Sequence, residues 1–160
     1  MNLCIDCGNT RVKFGLFQND ELKVVKVFAS DKNEEILDWL DRISFEECIL
    51  SNVGSKKSEW LERLSEEIDI YEPDAYSPLP LKIKYSSKDT LGGDRIAAWC
   101  GALKHCNNKN ILVINSGTCI TYDLLNREIG FVGGNIAPGL NMRFRAMNHF
   151  TARLPLIKSH

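Results

Sequence analysis

The chain has 160 residues, 44% of them hydrophobic and 26% charged, with a formal net charge of -1. That size allows one compact domain or two small lobes. The balanced charge leaves no basic footprint for nucleic acid, and no stretch approaches the roughly 18 apolar residues of a membrane-spanning helix.

The N-terminus, Met-Asn-Leu-Cys-Ile-Asp, lacks the basic and long apolar regions of a secretory leader, so a soluble, cytoplasmic protein is expected. The six cysteines fit that setting as reduced, buried thiols. Cys4 and Cys7 have metal-knuckle spacing, but on a strand they point to opposite faces. His105 and His149 have no partner at metal spacing, and His160 is terminal.

In chain order, residues 3–6 form an apolar run ending in the turn signal Asp6-Cys-Gly-Asn-Thr10. Residues 12–17 and 22–28, separated by Asn19-Asp20, extend this into an antiparallel meander. Ser30-Asp31 can cap a helix bearing Ile36, Leu37, Leu40 and Ile43 on one face. Residues 47–53 read as a fourth strand. Ser55 or Ser58 then opens a helix with Trp60, Leu61, Leu64 and Ile68, and 68–71 is a short fifth strand. Pro73, Pro78 and Pro80 mark a lobe boundary, dividing the chain into 1–75 and 76–160.

Residues 91–106 are predicted as a connecting helix, stopped by the Asn-rich stretch 107–110. Strands follow at 111–114, 120–125 and 128–136, and Pro138-Gly139 opens a last helix that fades near Phe150. Cys4-Ile-Asp6-Cys-Gly8-Asn-Thr10 and Val113-Ile-Asn115-Ser-Gly117-Thr118 share one plan: apolar strand, Asp or Asn, glycine, hydroxyl residue. This internal repeat predicts an α/β protein with two ribonuclease H-like lobes of the actin, hexokinase and Hsp70 superfold. Each lobe is expected to be a mixed sheet with flanking helices, the second lobe incomplete.

The turn chemistry suits phosphate. Gly8 and Gly117 let backbone amides approach an oxyanion, while Asn9, Thr10 and Thr118 add donors. Asp6 is a hard oxygen ligand for Mg²⁺, and Lys13 can reach a phosphate as a point charge. Read alone, Asp-x-Gly-Asn is a hairpin turn; its repetition favours the phosphate reading. Leu91-Gly92-Gly93-Asp94-Arg95 opens the connecting helix. Asp94 is a helix cap or the acceptor of a substrate hydroxyl proton, and the Arg95 fork matches a carboxylate. Gly133-Gly134-Asn135-Ile-Ala-Pro138-Gly139-Leu140 is a glycine-rich turn feeding a helix, which reads equally as a structural crossover.

Taken in order, Asp6 to Lys13, Tyr85 with Leu91-Gly-Gly-Asp-Arg95, Asn115-Ser-Gly-Thr118 and the Gly133 to Leu140 stretch resemble the type III pantothenate kinases over nearly the whole chain. The resemblance implies ATP-dependent phosphorylation of the pantothenate 4′-hydroxyl, the first step of coenzyme A synthesis, by a homodimer. It assigns Asp6, Cys7, Gly8, Asn9, Thr10, Arg11, Val12, Lys13 and Thr118 to ATP, with Mg²⁺ at Asp6. Tyr85, Gly92, Gly93, Asp94 and Arg95 are assigned to pantothenate, with Asp94 as proton acceptor. A monovalent cation, K⁺ or NH₄⁺, belongs at position 115, where this chain has Asn115 in place of the usual Asp. The resemblance also implies that a C-terminal part with closing helices is missing beyond His160. The competing readings are a non-catalytic binding protein that kept the fold, or another small-molecule kinase of the superfold.

Overall fold

The computed structural model describes residues 1–54, 58–106 and 109–157. It is an α/β protein that divides into two compact units, Met1–Ser77 with Gly92–Ala97, and Pro78–Leu91 with Ala98–His160.

In the first unit the strands are β1 (Asn2–Cys7), β2 (Arg11–Gln18), β3 (Glu21–Ala29), β4 (Glu47–Asn52) and β5 (Ile70–Tyr71). They form one mixed sheet in the order β3-β2-β1-β4-β5, the first three antiparallel and the last two parallel to β1. The β2–β3 hairpin turns at Asn19 and Asp20, both with positive φ (50° and 64°), a backbone that Asn and Asp tolerate. Helices α1 (Asn33–Leu40) and α2 (Glu59–Glu67) fill the intervals before and after β4.

Period-2 alternation sorts the strand residues by face. Leu3, Ile5 and Cys7 of β1, Val12, Phe14 and Leu16 of β2, and Cys48 and Leu50 of β4 are buried with Ile36 and Leu40 of α1 and Trp60 and Leu64 of α2. Phe14 lies at the centre, with ring centroids 5.8 Å from Phe28, 5.1 Å from Trp39 and 5.5 Å from Trp60. These tilted and edge-on contacts add to what area burial alone supplies.

The helix ends differ from expectation. α1 starts after Lys32, with no side-chain cap from Ser30 or Asp31. It also stops at Leu40, so Ile43 packs on the core from outside the helix. Ser58 stands at the α2 N-cap, though its hydroxyl makes no capping bond, and Ser55 lies outside the described residues.

The second unit holds β6 (Ile111–Ser116), β7 (Cys119–Asn126) and β8 (Gly130–Pro138) in a three-stranded antiparallel sheet, followed by α4 (Leu140–Phe150). A mixed sheet was the expectation; among the described residues of this unit the one parallel element is an isolated bridge, Ile83 to Phe131. That bridge is closed by Phe131 N–H to Lys82 C=O (2.9 Å) and Lys84 N–H to Phe131 C=O (2.8 Å). Gly130 makes it possible: its φ is +102°, and a Cβ there would run into the Lys82 carbonyl. Phe131 is fully buried and stacks on Trp99 of α3 (Gly93–His105) at 6.1 Å. The glycine-rich stretch from Gly133 to Pro138 belongs to β8 rather than to a turn, and Gly139 is the N-cap of α4.

The thiols are less uniform than expected. Cys7 and Cys48 are buried, Cys4, Cys100 and Cys119 are half-buried, and Cys106 is exposed. Burial pushes the Cys48 thiol up to about 11. Among the described residues no helix is long and apolar enough to cross a membrane.

Because Phe14 touches three aromatic rings, Phe14→Ala is expected to lower the unfolding free energy by about 3–5 kcal/mol. Urea denaturation followed by tryptophan fluorescence checks this. A loss below about 1 kcal/mol, the range of a surface site, would contradict the packing described.

Candidate active site

The face of the first unit's sheet turned away from α1 and α2 carries the polar groups. Asp6 is the penultimate residue of β1 and pairs across the ladder with Lys13 of β2. Lys13 Nζ lies 3.0 Å from Asp6 Oδ2, and the two side chains are 58% and 46% exposed. An ion pair this exposed contributes little, so a ligand can separate its members at small cost. The carboxylate can then meet a hard cation, and the ammonium an oxyanion.

Beyond Asp6 the chain turns at a tight hairpin tip. Gly8 N–H donates to Arg11 C=O (3.0 Å), which closes the turn. Ser30 holds the tip from below, its N–H on Thr10 C=O (3.1 Å) and its hydroxyl on Asn9 C=O (3.2 Å). The Asn9, Thr10 and Arg11 carbonyls are thereby occupied, whereas the amides of Asn9 and Thr10 have no partner among the described residues. Such a tip is suited to an anion. Within the motif, Cys7 and Val12 send their side chains into the core, so only their backbone faces the site. The Cys7 thiol is raised by burial, then by the charges of Asp6 and Glu72.

β4 runs parallel to β1 with Ser51 beside Asp6, and the two share a face. The start of α3 rests on this point. A Cβ on Gly93 would stand 3.2 Å from Pro73 C=O and 3.5 Å from Ser51 Oγ. Only glycine seats the helix at this depth without pushing on a backbone carbonyl. Gly92 C=O accepts from Arg95 N–H (3.1 Å) and Ile96 N–H (3.3 Å), opening the helix. The Asp94 carboxylate folds back over Gly92, its Oδ1 2.5 Å from where a Gly92 Cβ would stand. Arg95 is 7% exposed, a guanidinium largely withdrawn from water.

The other expected residues lie in the second unit. Tyr85 packs edge-on against Phe131, centroids 5.9 Å apart. Asn115 on β6 is exposed and pairs with Thr121 of β7, whose buried hydroxyl has no partner among the described residues. Thr118 sits in the β6–β7 turn, where Gly117 N–H reaches Cys119 C=O (2.9 Å) and Gly139 N–H reaches Thr118 C=O (3.0 Å). The last bond ties the start of α4 to the turn. Asp6, Lys13, the Asn9–Thr10 tip and the Gly92 to Arg95 segment thus belong to one unit, and Tyr85, Asn115 and Thr118 to the other. Sequence reasoning read Ser30 only as a helix cap and passed over Ser51 and Thr121. All three are small hydroxyl residues whose surroundings are set by pairing distant in the chain.

A carboxylate beside an ammonium, a hairpin tip with open amides, and a helix start bearing Asp94 make a surface chemically suited to an anion. Comparison with known proteins gives the family. The sequence model of the type III pantothenate kinase family matches residues 2–160, and the chain belongs to that family. It is 40% identical over 159 residues to the type III pantothenate kinase of Christiangramia forsetii, covering 98% of this chain and 65% of that protein. With the type III pantothenate kinase of Bacteroides fragilis the identity is 37% over 159 residues, again 98% and 65%. The chain thus spans 65% of the length of these two curated relatives. Among solved structures, a Campylobacter jejuni protein described as a conserved Baf family transcriptional activator matches 93% of this chain and 60% of its own. At 20% identity and a TM-score of 0.56, that is a likeness of fold alone.

The Gly92 geometry makes a specific prediction. In Gly92→Ala the new methyl occupies the place of Asp94 Oδ1, so the carboxylate swings away while the fold persists. The crystal structure of the variant is expected to show Asp94 in another rotamer, with Tm changed by only a few degrees. An Asp94 carboxylate left where it is now would contradict the account.

Proposed function

We propose that this chain carries the ATP and pantothenate sites of a kinase that phosphorylates the pantothenate 4′-hydroxyl, giving 4′-phosphopantothenate and ADP, the first step of coenzyme A synthesis. One observation carries the reading beyond family membership. The Asp6–Lys13 pair and the start of α3 bearing Asp94 are joined through Ser51 on one sheet face.

The residues present suit ATP and Mg²⁺. Asp6 offers hard oxygen donors for the cation, which when bound neutralises charge on the phosphates. Lys13 and the hairpin tip from Gly8 to Arg11 take phosphate oxygens, with backbone from Cys7 and Val12, and Thr118 contacts the nucleotide. Asp94 accepts the hydroxyl proton as the new oxygen–phosphorus bond forms and the bond to ADP breaks. Arg95, with Tyr85, Gly92 and Gly93, orients pantothenate, its buried fork matching the carboxylate. Asn115, with the Thr121 hydroxyl behind it, is the place for a monovalent cation. A neutral amide oxygen there is a weaker ligand than a carboxylate. Two actin-like lobes spanning 1–75 and 76–160, a homodimer and a cytoplasmic setting complete the reading. Family membership supports it; Ile96 and Trp99 of α3 are buried within the chain and do not argue for the dimer.

A coupled ADP-release assay of the full-length protein over several hydroxy acids tests this. Turnover should require pantothenate, and Asp94→Asn should lower kcat by about 10²–10⁴-fold with ATP affinity unchanged. Pantothenate-independent turnover would sink the substrate, and a near-normal kcat in the variant would return Asp94 to a helix cap. Run against K⁺, the same assay should saturate at lower concentration for Asn115→Asp; superimposable curves would make Asn115 a turn residue.

A further inference from the structure

We propose that Ser51 is a positioning residue for Asp94, its hydroxyl taking a backbone N–H of the first α3 turn and so setting the depth of that turn above Asp6. It deepens the kinase reading and rests on it for its kinetic arm alone.

Three observations converge. Ser51 is 8% exposed, and its Oγ is buried without a hydrogen-bond partner among the described residues. A buried hydroxyl left in this condition is destabilising, and proteins retain such groups chiefly where function uses them. Its position is the second observation. Ser51 adjoins Asp6 in the parallel ladder, on adjacent strands about 4.8 Å apart. On its other side, Ser51 Oγ stands 3.5 Å from the Cβ position of Gly93. The third is the supply of donors. In the first α3 turn the Arg95 and Ile96 amides already bond to Gly92 C=O, whereas those of Gly93 and Asp94 do not. These are the orphan donors that every helix start presents. A buried acceptor without a partner among the described residues therefore lies beside the residue that opens α3, next to amides that the helix leaves open.

Of the other buried hydroxyl and indole groups in this condition, Ser58 Oγ and Trp60 Nε1 lie at and in α2 across the sheet, and Trp99 Nε1 and Thr121 Oγ1 belong to the second unit. Ser51 is different because the group it would fix carries Asp94. A carboxylate misplaced by an ångström at a reacting hydroxyl loses much of its effect on rate. Ser51 itself stays out of reach of substrate, since its oxygen is covered.

The test compares wild type, Ser51→Ala and Ser51→Thr in the full-length protein. The Gly93 or Asp94 amide should exchange with solvent several-fold faster in Ser51→Ala than in wild type, and Ser51→Thr, which keeps the hydroxyl, should restore protection. The kcat of Ser51→Ala should fall about tenfold, as for one neutral hydrogen bond lost at the reacting geometry, with KM for ATP unchanged. Its Tm should fall by a few degrees at most, as for one neutral hydrogen bond. Equal exchange rates in wild type and Ser51→Ala would overturn the proposal whatever the turnover. Altered exchange with unchanged kcat would overturn it equally. Altered exchange in a protein that never turns over pantothenate would support the positioning role and sink the kinase reading instead.

Discussion

The parallel pairing of β1 with β4 fixes what can happen chemically in the first unit. It places Ser51 next to Asp6, and through Gly93 it gives α3 a floor to start on. Shift that register by one residue and Leu50 or Asn52 would replace Ser51 at this point, with every side chain of β4 on the wrong face. The register is held by Leu3, Ile5, Cys48 and Leu50, all buried on the opposite face against α1 and α2. A greasy core on one side thereby positions a polar site on the other.

The energetics divide along the same plane. On the helix side, Phe14, Phe28, Trp39 and Trp60 make close aromatic contacts that only unfolding undoes. On the site side, the Asp6–Lys13 ion pair is half in water and easily parted. Rigid support beneath loosely held charges lets such a surface exchange its internal partners for a ligand without disturbing the fold.

Much of this was legible in the sequence because the signals are local. The meander followed from alternation at 3–6, 12–17 and 22–28, and the Asn19–Asp20 turn from residue types that accept positive φ. Ser51 was hidden because parallel pairing joins residues 45 positions apart, and nothing near Leu50-Ser51-Asn52 says which strand adjoins them. The α1 end was overrun for a similar reason. Ile43 fits the helical period, yet reaches the core from beyond the helix. The Gly133-Gly134 stretch looked like a turn on composition, whereas its ladder with Leu124 and Asp123 makes it a strand. Asp94 folding over Gly92 depends on side-chain geometry that spacing alone does not carry.

We propose that Asp6, the Asn9–Thr10 tip and the start of α3, with Ser51 beneath them, form one surface for the metal–nucleotide complex. Paramagnetic broadening of backbone amides by Mn²⁺ with ATP tests it most directly, because the effect falls off steeply with distance from the ion. The account predicts that Asp6, Asn9, Thr10, Ser51 and Gly93 broaden first, while Leu37 and Arg63 on the helix side of the sheet keep their intensity. Broadening centred on α1 and α2, or none near Asp6, would contradict it.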